Sequence, residues 1–409
     1  MKLDTEYVRG QFPAFAQKSL RNEAFFENAG GSYACRPVIK RLRRFYKKRK
    51  VQPYAAYDAS RLAGEEMDEA RIRLASMLGV ETDELSFGPS TTANTYTLAQ
   101  AFGEALGPGD AIIVTDQDHE ANSGPWRRLE YLGVEIREWR MEPETGHLDP
   151  AALEALLDGR VRLVCFPHCS NIVGEINDAR AIIEKVHAAG AVACVDGVSY
   201  APHGLPDVGA LGADIYLFST YKTYGPHQGI MVIRRDLGEA LPAQGHFFNE
   251  GTLYKRFTPA GPDHAQIAAC AGIADYWDGL YAHHFGTGDE APARARARCV
   301  ANLMQSHERK LLKPLLKYLR AKNSVRLIGP RVAANRAPTL AIEAQRPGDE
   351  IAADLAAHGV NTAGGDFYAV RALKALGVDR GKGVLRMSFT HYTTRREVDR
   401  LITALDQVL

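Results

Sequence analysis

The chain has 409 residues, with 50 Lys and Arg against 49 Asp and Glu, and 45% of its residues are hydrophobic. This length allows two domains and a large core, and the balanced charge gives no electrostatic reason to expect nucleic acid or an anionic membrane surface as a partner. No apolar run reaches the roughly 18 residues of a membrane span, and the N-terminus has no apolar signal-peptide segment. We therefore predict a globular, cytoplasmic protein without membrane or nucleic-acid partners.

The order of the predicted elements indicates two domains. Strand and helix patterns alternate from about Leu85 to Ile233, which predicts a run of parallel βαβ units and favours an α/β fold with a mostly parallel central sheet and helices on both faces. The large domain is expected to cover residues 25–285. The polar run 286–292, which contains Gly and Pro, predicts the boundary, and residues 286–409 are expected to form a smaller α+β domain. Residues 1–24 are expected to be an N-terminal segment, helical to about Leu20, that packs with the small domain.

The first candidate binding element begins at a Gly-Pro turn, Gly88-Pro89, which leads into Ser90, Thr91 and Thr92. These three residue types cap helices well. A helix N-terminus with free N–H groups and hydroxyls can also hold a phosphate, and simple capping is the alternative. No Gly-Lys-Ser/Thr sequence follows, so this is not a P-loop.

Four apolar runs are predicted strands, and each is followed by polar side chains. They are Ala111–Thr115 before His119, Val161–Phe166 before Asn171, Ala191–Val195 before Asp196, and Ile215–Phe218 before Ser219 and Lys222. Ligands of open α/β sheets bind at the carboxyl ends of the strands. We therefore expect these side chains to meet at one edge of the sheet.

The pairing of Asp196 with Lys222 indicates pyridoxal phosphate (PLP) as the cofactor. A lysine forms a Schiff base with the PLP aldehyde, and an acid pairs with its pyridinium nitrogen. The alternative is a strand-end aspartate and a surface lysine that never meet.

In the C-terminal part, the planar guanidinium of Arg386 is suited to bind a carboxylate through two parallel hydrogen bonds. The alternative is that Arg386 is exposed and belongs to a surface ion pair.

The central segment resembles the active-site segment of the class V aminotransferases, the group that includes the cysteine desulfurases. The matching residues are Asp196-Gly197, His203, and the Ser-x-x-Lys-x-x-Gly-Pro motif at Ser219, Lys222, Gly225 and Pro226. The resemblance extends from about Phe25 to the C-terminus. It implies the PLP-transferase fold of type I, PLP as cofactor, a small amino-acid substrate and a homodimer.

The resemblance also implies a role for individual residues. Lys222, Asp196 and His119 would be catalytic, with the imidazole of His119 stacked on the cofactor ring. The implied substrate contacts are Asn28, Ala29, Gly30, Asn171 and Arg386, the last with the α-carboxylate. The implied cofactor contacts are Ser90, Thr91, Thr92, His119, Asn171, Asp196, Ser199, His203, Ser219, Tyr221, Lys222 and Gly261. No metal site is expected.

Several positions depart from the family pattern. Cysteine desulfurases carry a nucleophilic Cys on a loop of the C-terminal domain, whereas the matching stretch Thr362–Ala369 has none and no cysteine follows Cys299. Tyr221 and Ser199 stand where desulfurases have His and Gln. Relatives place a Thr near Gly261 that reaches the phosphate of the partner subunit, and here only the Gly261 N–H is left for that contact.

These departures favour a change of reaction within the family. We predict a lyase, for example one that eliminates across a C–S bond, or an aminotransferase, rather than a persulfide-forming desulfurase. A PLP-dependent racemase or epimerase, similar to the isopenicillin-type epimerases, is one alternative. A non-catalytic homologue that binds PLP is the other.

Overall fold

A computed structural model of the chain describes residues 1–286 and 291–409. The strands are β1 (Ala24–Phe25), β2 (Leu85–Gly88), β3 (Ala111–Thr115), β4 (Glu135–Trp139), β5 (Val161–Pro167), β6 (Val192–Asp196), β7 (Ile215–Ser219), β8 (Gly229–Ile233), β9 (Val325–Ile328), β10 (Thr339–Ala344), β11 (Val360–Asn361), β12 (Ala363–Gly365) and β13 (Val384–Ser388). The helices are α1 (Thr5–Gly10), α2 (Arg36–Lys48), α3 (Asp58–Leu78), α4 (Thr91–Ala105), α5 (Gly124–Arg127), α6 (Pro150–Glu154), α7 (Ala179–Ala188), α8 (Val208–Leu211), α9 (Arg235–Ala240), α10 (Leu253–Arg256), α11 (His264–Phe285), α12 (Ala293–Ala321), α13 (Gly348–Ala357), α14 (Val370–Ala375) and α15 (Arg395–Val408).

The large sheet has seven strands in the order β2-β8-β7-β6-β5-β3-β4. Strand β8 is antiparallel to β2 and β7, and the remaining neighbours pair in parallel. The direction of β8 differs from the predicted run of parallel strands. Its connection from β7, Thr220 to Gln228, contains only a short 3₁₀ turn, whereas a parallel crossover needs a dozen or more residues, usually including a helix.

The two faces of this sheet bury separate apolar cores. In β5, Val164 and Phe166 face one core while Leu163 and Cys165 face the other, as the period of two along a strand requires. Helices α2, α3, α7 and α11 contribute to the first core, and α4 and α5 contribute to the second. The predicted α/β fold with helices on both faces is therefore confirmed.

A smaller antiparallel sheet, in the order β12-β13-β10-β9, lies in the C-terminal part of the chain. Its core contains apolar residues of α12, α13 and α15, such as Leu312, Leu355 and Leu401. This core also receives Phe26, which follows the short β1–β11 pair. The predicted smaller α+β unit is therefore present, and its strand β13 carries Arg386.

The N-terminal residues contact both parts of the chain. Arg9 forms an ion pair with Glu397 of α15 at 3.0 Å, and Asp4 forms one with His283 of α11 at 3.0 Å. The helix expected to reach Leu20 ends at Gly10 and is followed by 3₁₀ turns. Pro13 accounts for the break, because proline lacks an N–H group and disfavours helical geometry in the residue before it.

The division at 24/25 and 285/286 remains a prediction, and part of the expected boundary run, residues 287–290, lies outside the described residues. In the described parts of the chain, no helix is both long enough and apolar enough to cross a membrane.

Candidate active site

An inner chamber of about 270 Å³ lies at the carboxyl ends of β5, β6 and β7, beside the amino end of α4. The parallel register of these strands brings the polar residues that follow them to one edge of the sheet. The predicted residues that line the chamber are Ser90, Thr91, Thr92, His119, Asn171, Asp196, Ser199, Ser219, Tyr221 and Lys222.

Asp196 and Lys222 face this chamber and are buried, with 5% and 8% of their surfaces exposed. The Oδ1 atom of Asp196 accepts a hydrogen bond from the Val198 N–H at 2.8 Å, and burial raises the pKa of Asp196 to about 6. Burial, with a smaller effect of the Arg386 charge, lowers the pKa of Lys222 to about 8. Lys222 is therefore neutral far more often than a free lysine, and the neutral amine is the form that attacks an aldehyde.

The amino end of α4 forms another wall of the chamber. Ser90 caps this helix through a hydrogen bond from the Ala93 N–H at 3.1 Å, and the hydroxyls of Thr91 and Ser219 lie 2.7 Å apart. Strand β8 passes so close that a Cβ on Gly229 would lie 2.4 Å from the Ser90 carbonyl carbon. The absence of a side chain at Gly229 therefore allows the amino end of α4 to lie against β8, with its hydroxyls at the chamber. The free N–H groups of this helix end suit a phosphate.

His119 follows β3 and lies between the inner chamber and a second, outer one. Its Nδ1 accepts a hydrogen bond from the Ala121 N–H at 3.0 Å. Burial lowers the pKa of His119 to about 3, and the charges of Lys222 and Arg386 act in the same direction. The imidazole is therefore neutral at neutral pH, with its proton on Nε2, and can pack against a cationic ring without charge repulsion.

The outer chamber has a volume of about 470 Å³ and adjoins the inner one through shared walls. Both chambers are lined by Thr92, His119, Asn171, Tyr221 and Lys222. The outer chamber is also lined by Glu27, Ala29, Gly30, Tyr96, Glu120, Phe367, Tyr368 and Arg386. Four of the predicted substrate contacts, Ala29, Gly30, Asn171 and Arg386, thus lie around one space beside Lys222.

Arg386 is buried, and its guanidinium already contacts other side chains. Its Nη2 donates a hydrogen bond to Oε1 of Glu27 at 2.6 Å, and its Cζ lies 3.9 Å from the centroid of the Phe367 ring. Neither partner was identified from the sequence. Glu27 precedes the predicted substrate contact Asn28, and Phe367 lies in the stretch Thr362–Ala369. Nothing in the sequence pattern indicates that either residue contacts Arg386.

Three predicted residues line neither the inner nor the outer chamber. Asn28 lines a small neighbouring cleft, where its amide donates to the Ser388 carbonyl at 3.1 Å and accepts from the Tyr392 hydroxyl. His203 is buried against Glu308, with Nδ1 3.1 Å from its carboxylate. Gly261 lines a different cavity, which agrees with the expectation that it serves the partner subunit but does not test it.

Three further residues of the inner chamber with titratable side chains were not predicted: Asp118, Cys169 and His227. Asp118 accepts a hydrogen bond from the Thr115 hydroxyl at 3.0 Å, and burial, with the neighbouring Asp196 carboxylate, raises the pKa of Asp118 well above its usual value. The His227 ring stacks on Tyr221 at 4.7 Å. Each is close in sequence to a predicted residue, which is the only signal that could have found it.

The comparison with known families agrees with this geometry. A family model for aminotransferase class-V matches residues 24–262 and 291–401. The chain belongs to this family. Among curated proteins, it is similar to the aminotransferase-like protein FGM3 of Gibberella zeae, with 34% identity over 99% of this chain and 98% of that protein. It is also similar to a cysteine desulfurase of Pectobacterium carotovorum, with 30% identity over 100% and 98% of the two chains.

Solved structures of cysteine desulfurases have the same fold. The apo enzyme from Thermococcus onnurineus superposes with a TM-score of 0.85 and 23% identity, covering 100% of this chain and 98% of that chain. The enzyme CsdA from Escherichia coli superposes with a TM-score of 0.81 and 23% identity, covering 100% and 99%. The predicted membership and fold are therefore confirmed.

Class V aminotransferases and cysteine desulfurases depend on PLP, and so the cofactor prediction is confirmed at the level of the family. The inner chamber fits this cofactor. It offers a carboxylate for the pyridine nitrogen, a lysine for the aldehyde, and a helix amino end with hydroxyls for the phosphate. Asn171 also lines the chamber, and its buried Oδ1 has no hydrogen-bond partner among the residues that the structure describes, so it is available to a ligand.

Proposed function

We propose that this protein acts on the α-carbon of a small amino acid, as a lyase of the C–S type or as an aminotransferase. The observation that carries the proposal is the convergence of Lys222 and Asp196 on one chamber, beside a second chamber that contains Arg386. A non-catalytic homologue would have no need for a buried lysine, a buried acid and a buried arginine around adjoining spaces.

Each of these side chains has a distinct task in the proposal. Bound PLP supplies an electron sink for the α-carbon. Lys222 holds the cofactor covalently, and its Nζ, once free, moves a proton to or from the α-carbon. Asp196 keeps the pyridine nitrogen protonated, Ser90 and Thr91 hold the phosphate, and Arg386 binds the α-carboxylate.

The remaining chamber residues position the cofactor. The neutral ring of His119 would pack on the cofactor ring, and Asn171 and Ser199 would bind its phenolic oxygen. Tyr221, whose ring stacks on His227, and Ser219 would help to bind its phosphate. These roles come from the family resemblance together with the shared lining of the chamber.

The cysteines argue against a persulfide-forming desulfurase. Among the described residues that line the outer chamber there is no cysteine. Cys35 is buried and contacts the Gly272 carbonyl at 3.7 Å, and Cys169 lies at the inner chamber. Burial raises the pKa of both thiols to about 12. Because the thiolate is the nucleophile, neither residue supplies one near neutral pH.

With L-cysteine as substrate, we expect sulfide to be released together with pyruvate in equal amounts, and no protein-bound persulfide. Direct elimination needs only a base near the α-carbon, whereas desulfuration to alanine needs a thiolate that attacks the substrate sulfur. Sulfide, pyruvate and alanine are measured for the wild type and for Cys35→Ser and Cys169→Ser. Alanine in equal amount to sulfide, lost in either variant, would establish desulfurase chemistry and contradict the proposal.

The class of reaction is tested by incubating the holoenzyme with single L-amino acids, with and without a 2-oxo acid acceptor. A lyase gives pyruvate or another oxo acid over many turnovers without an acceptor. An aminotransferase without an acceptor gives at most one oxo acid per active site, because the amino group stays on the cofactor, and it turns over only when the acceptor is added. Inversion of the α-carbon without either product would favour the epimerase alternative. Absence of all three reactions across the common amino acids, with PLP bound, would favour the non-catalytic homologue.

We also propose that the protein is a cytoplasmic homodimer. The six unpaired cysteines suit a reducing compartment, and the dimer rests on the family resemblance of the segment that contains Gly261. Light scattering at working concentration is expected to give twice the chain mass of 44.9 kDa. A monomeric mass for fully active protein would contradict the proposed dimer.

A further inference from the structure

The outer chamber contains an ion pair that its proposed role leaves unexplained. The carboxylate of Glu27 already occupies one N–H group of Arg386, the residue proposed to bind the substrate α-carboxylate. We propose that Glu27 is an internal counter-ion of Arg386, and that a substrate carboxylate binds by displacing it. This inference rests on the proposed function, because it assumes that Arg386 receives that carboxylate.

The guanidinium of Arg386 is only partly satisfied by the chain. Its Nη2 donates to Glu27 at 2.6 Å, and its Nη1 donates to the Asn171 carbonyl at 3.4 Å. Within residues 1–286 and 291–409, its buried Nε has no hydrogen-bond partner. The Nε and Nη2 groups form the edge that binds a carboxylate through two parallel hydrogen bonds. Glu27 therefore uses one of the two donors of that edge, and an incoming carboxylate that displaced it would gain both.

Burial explains why Arg386 needs a counter-ion before substrate arrives. The side chain of Arg386 is 4% exposed, and a buried charge without a partner is strongly destabilising. Phe367 covers the guanidinium at 3.9 Å but carries no charge. Glu27 supplies the negative charge in the empty chamber, and the substrate would supply it in the complex.

The position of Glu27 allows it to leave. Its side chain is 24% exposed and lines the open outer chamber, so its carboxylate can turn toward solvent. Its present position depends on Gly30, because a Cβ there would lie 1.9 Å from Oε2 of Glu27. Glycine at 30 thus leaves room for the carboxylate beside Arg386, which gives Gly30 a task other than direct substrate contact.

The consequence is a filter for charge. A carboxylate can replace Glu27 at Arg386 because it restores the lost ion pair, whereas a neutral amide of the same shape cannot. Competition with Glu27 therefore lowers the affinity of the chamber for the substrate carboxylate. Glu27 would then be a positioning residue that sets this affinity through Arg386.

The test measures binding of propionate, a carboxylate without an amine, to the purified holoenzyme by NMR line broadening. Glu27→Gln keeps an acceptor for Arg386 but removes the competing charge, and it is expected to tighten propionate binding on the order of tenfold. Glu27→Asp keeps the charge on a shorter side chain and should give a smaller gain. Propionamide, which cannot form an ion pair with Arg386, should bind more weakly than propionate to the wild type and to both variants.

The matched control is Glu120→Gln. Glu120 lines the same chamber, but it pairs with Arg371 at 3.2 Å, so its loss should change the propionate dissociation constant no more than about twofold. Unchanged or weaker propionate binding in Glu27→Gln, with the thermal midpoint intact, would overturn the inference. Should Glu27→Gln not fold, propionate binding to Glu27→Asp is measured instead. Unchanged or weaker binding in that variant would likewise overturn the inference.

Failure of the proposed function would look different. Arg386→Ala is expected to abolish propionate binding. If it does and Glu27→Gln has no effect, Arg386 keeps its role and the displacement of Glu27 is wrong. If propionate binds equally well to Arg386→Ala, the carboxylate clamp itself is wrong.

Discussion

Lys222→Ala is expected to lower kcat/KM at least about 10⁴-fold, whichever amino acid proves to be the substrate. The variant removes both the covalent attachment of the cofactor and the amine that moves the α-carbon proton. Lys222→Arg should be about as inactive, because it keeps the positive charge but cannot form the covalent link. The measurement is the steady-state rate with the best substrate found for the wild type, for protein saturated with PLP.

The same lysine should set the pH dependence of cofactor attachment. Burial lowers the pKa of Lys222 to about 8, and only the neutral amine attacks the aldehyde. The rate of covalent loading of apo protein should therefore rise with pH and level off above about 8. A loading rate that does not change between pH 6 and pH 9, or a Lys222→Ala variant with wild-type activity, would contradict the role of this residue.

Asp196→Asn is expected to lower kcat by about 10²-fold or more, the range found when one oriented electrostatic contact at a reacting centre is lost. The amide has nearly the same shape, so the packing around β6 is kept, but it no longer carries the negative charge that holds the pyridine nitrogen protonated. Activity is measured together with the PLP dissociation constant, since the ion pair also contributes to cofactor binding.

The matched control for this variant is Asp118→Asn in the same chamber. Burial, with the neighbouring Asp196 carboxylate, raises the pKa of Asp118 well above its usual value. This shift favours the uncharged carboxyl, which the amide resembles, so the variant should reduce activity less than about tenfold. Wild-type PLP affinity should fall as pH drops through about 6, where Asp196 gains a proton, and Asp196→Asn should lack this fall. Equal losses in both variants would contradict the proposed contact.

Much of the inner chamber could be predicted because strand periodicity determines it. A buried parallel strand must end at the edge shared with its neighbours, so His119, Asn171, Asp196 and Lys222 follow from apolar runs and spacing. The proposed phosphate contact at Ser90 came from the family resemblance together with the capping pattern, because simple capping would explain these residues by itself. Strand periodicity and helix capping are local signals, and a single sequence contains them.

The remaining features depend on contacts between distant segments. The pairing of Glu27 with Arg386 spans 359 positions, and the contact between His203 and Glu308 spans 105. No periodicity relates such residues, so the buried carboxylate beside His203 could not be predicted from the sequence. The reversal of β8 was missed for another reason, because it depends on the short connection after β7 and not on the strand itself.

The most direct test is to identify the residue that carries the cofactor. Holoenzyme is reduced with borohydride, digested, and mapped by mass spectrometry for the peptide that retains the pyridoxyl group. We predict one modified residue, Lys222, in the peptide that contains Ser219 and Tyr221, and no modification in Lys222→Ala treated in the same way. Recovery of the label on any other lysine, or equal labelling of the variant, would contradict the site as proposed.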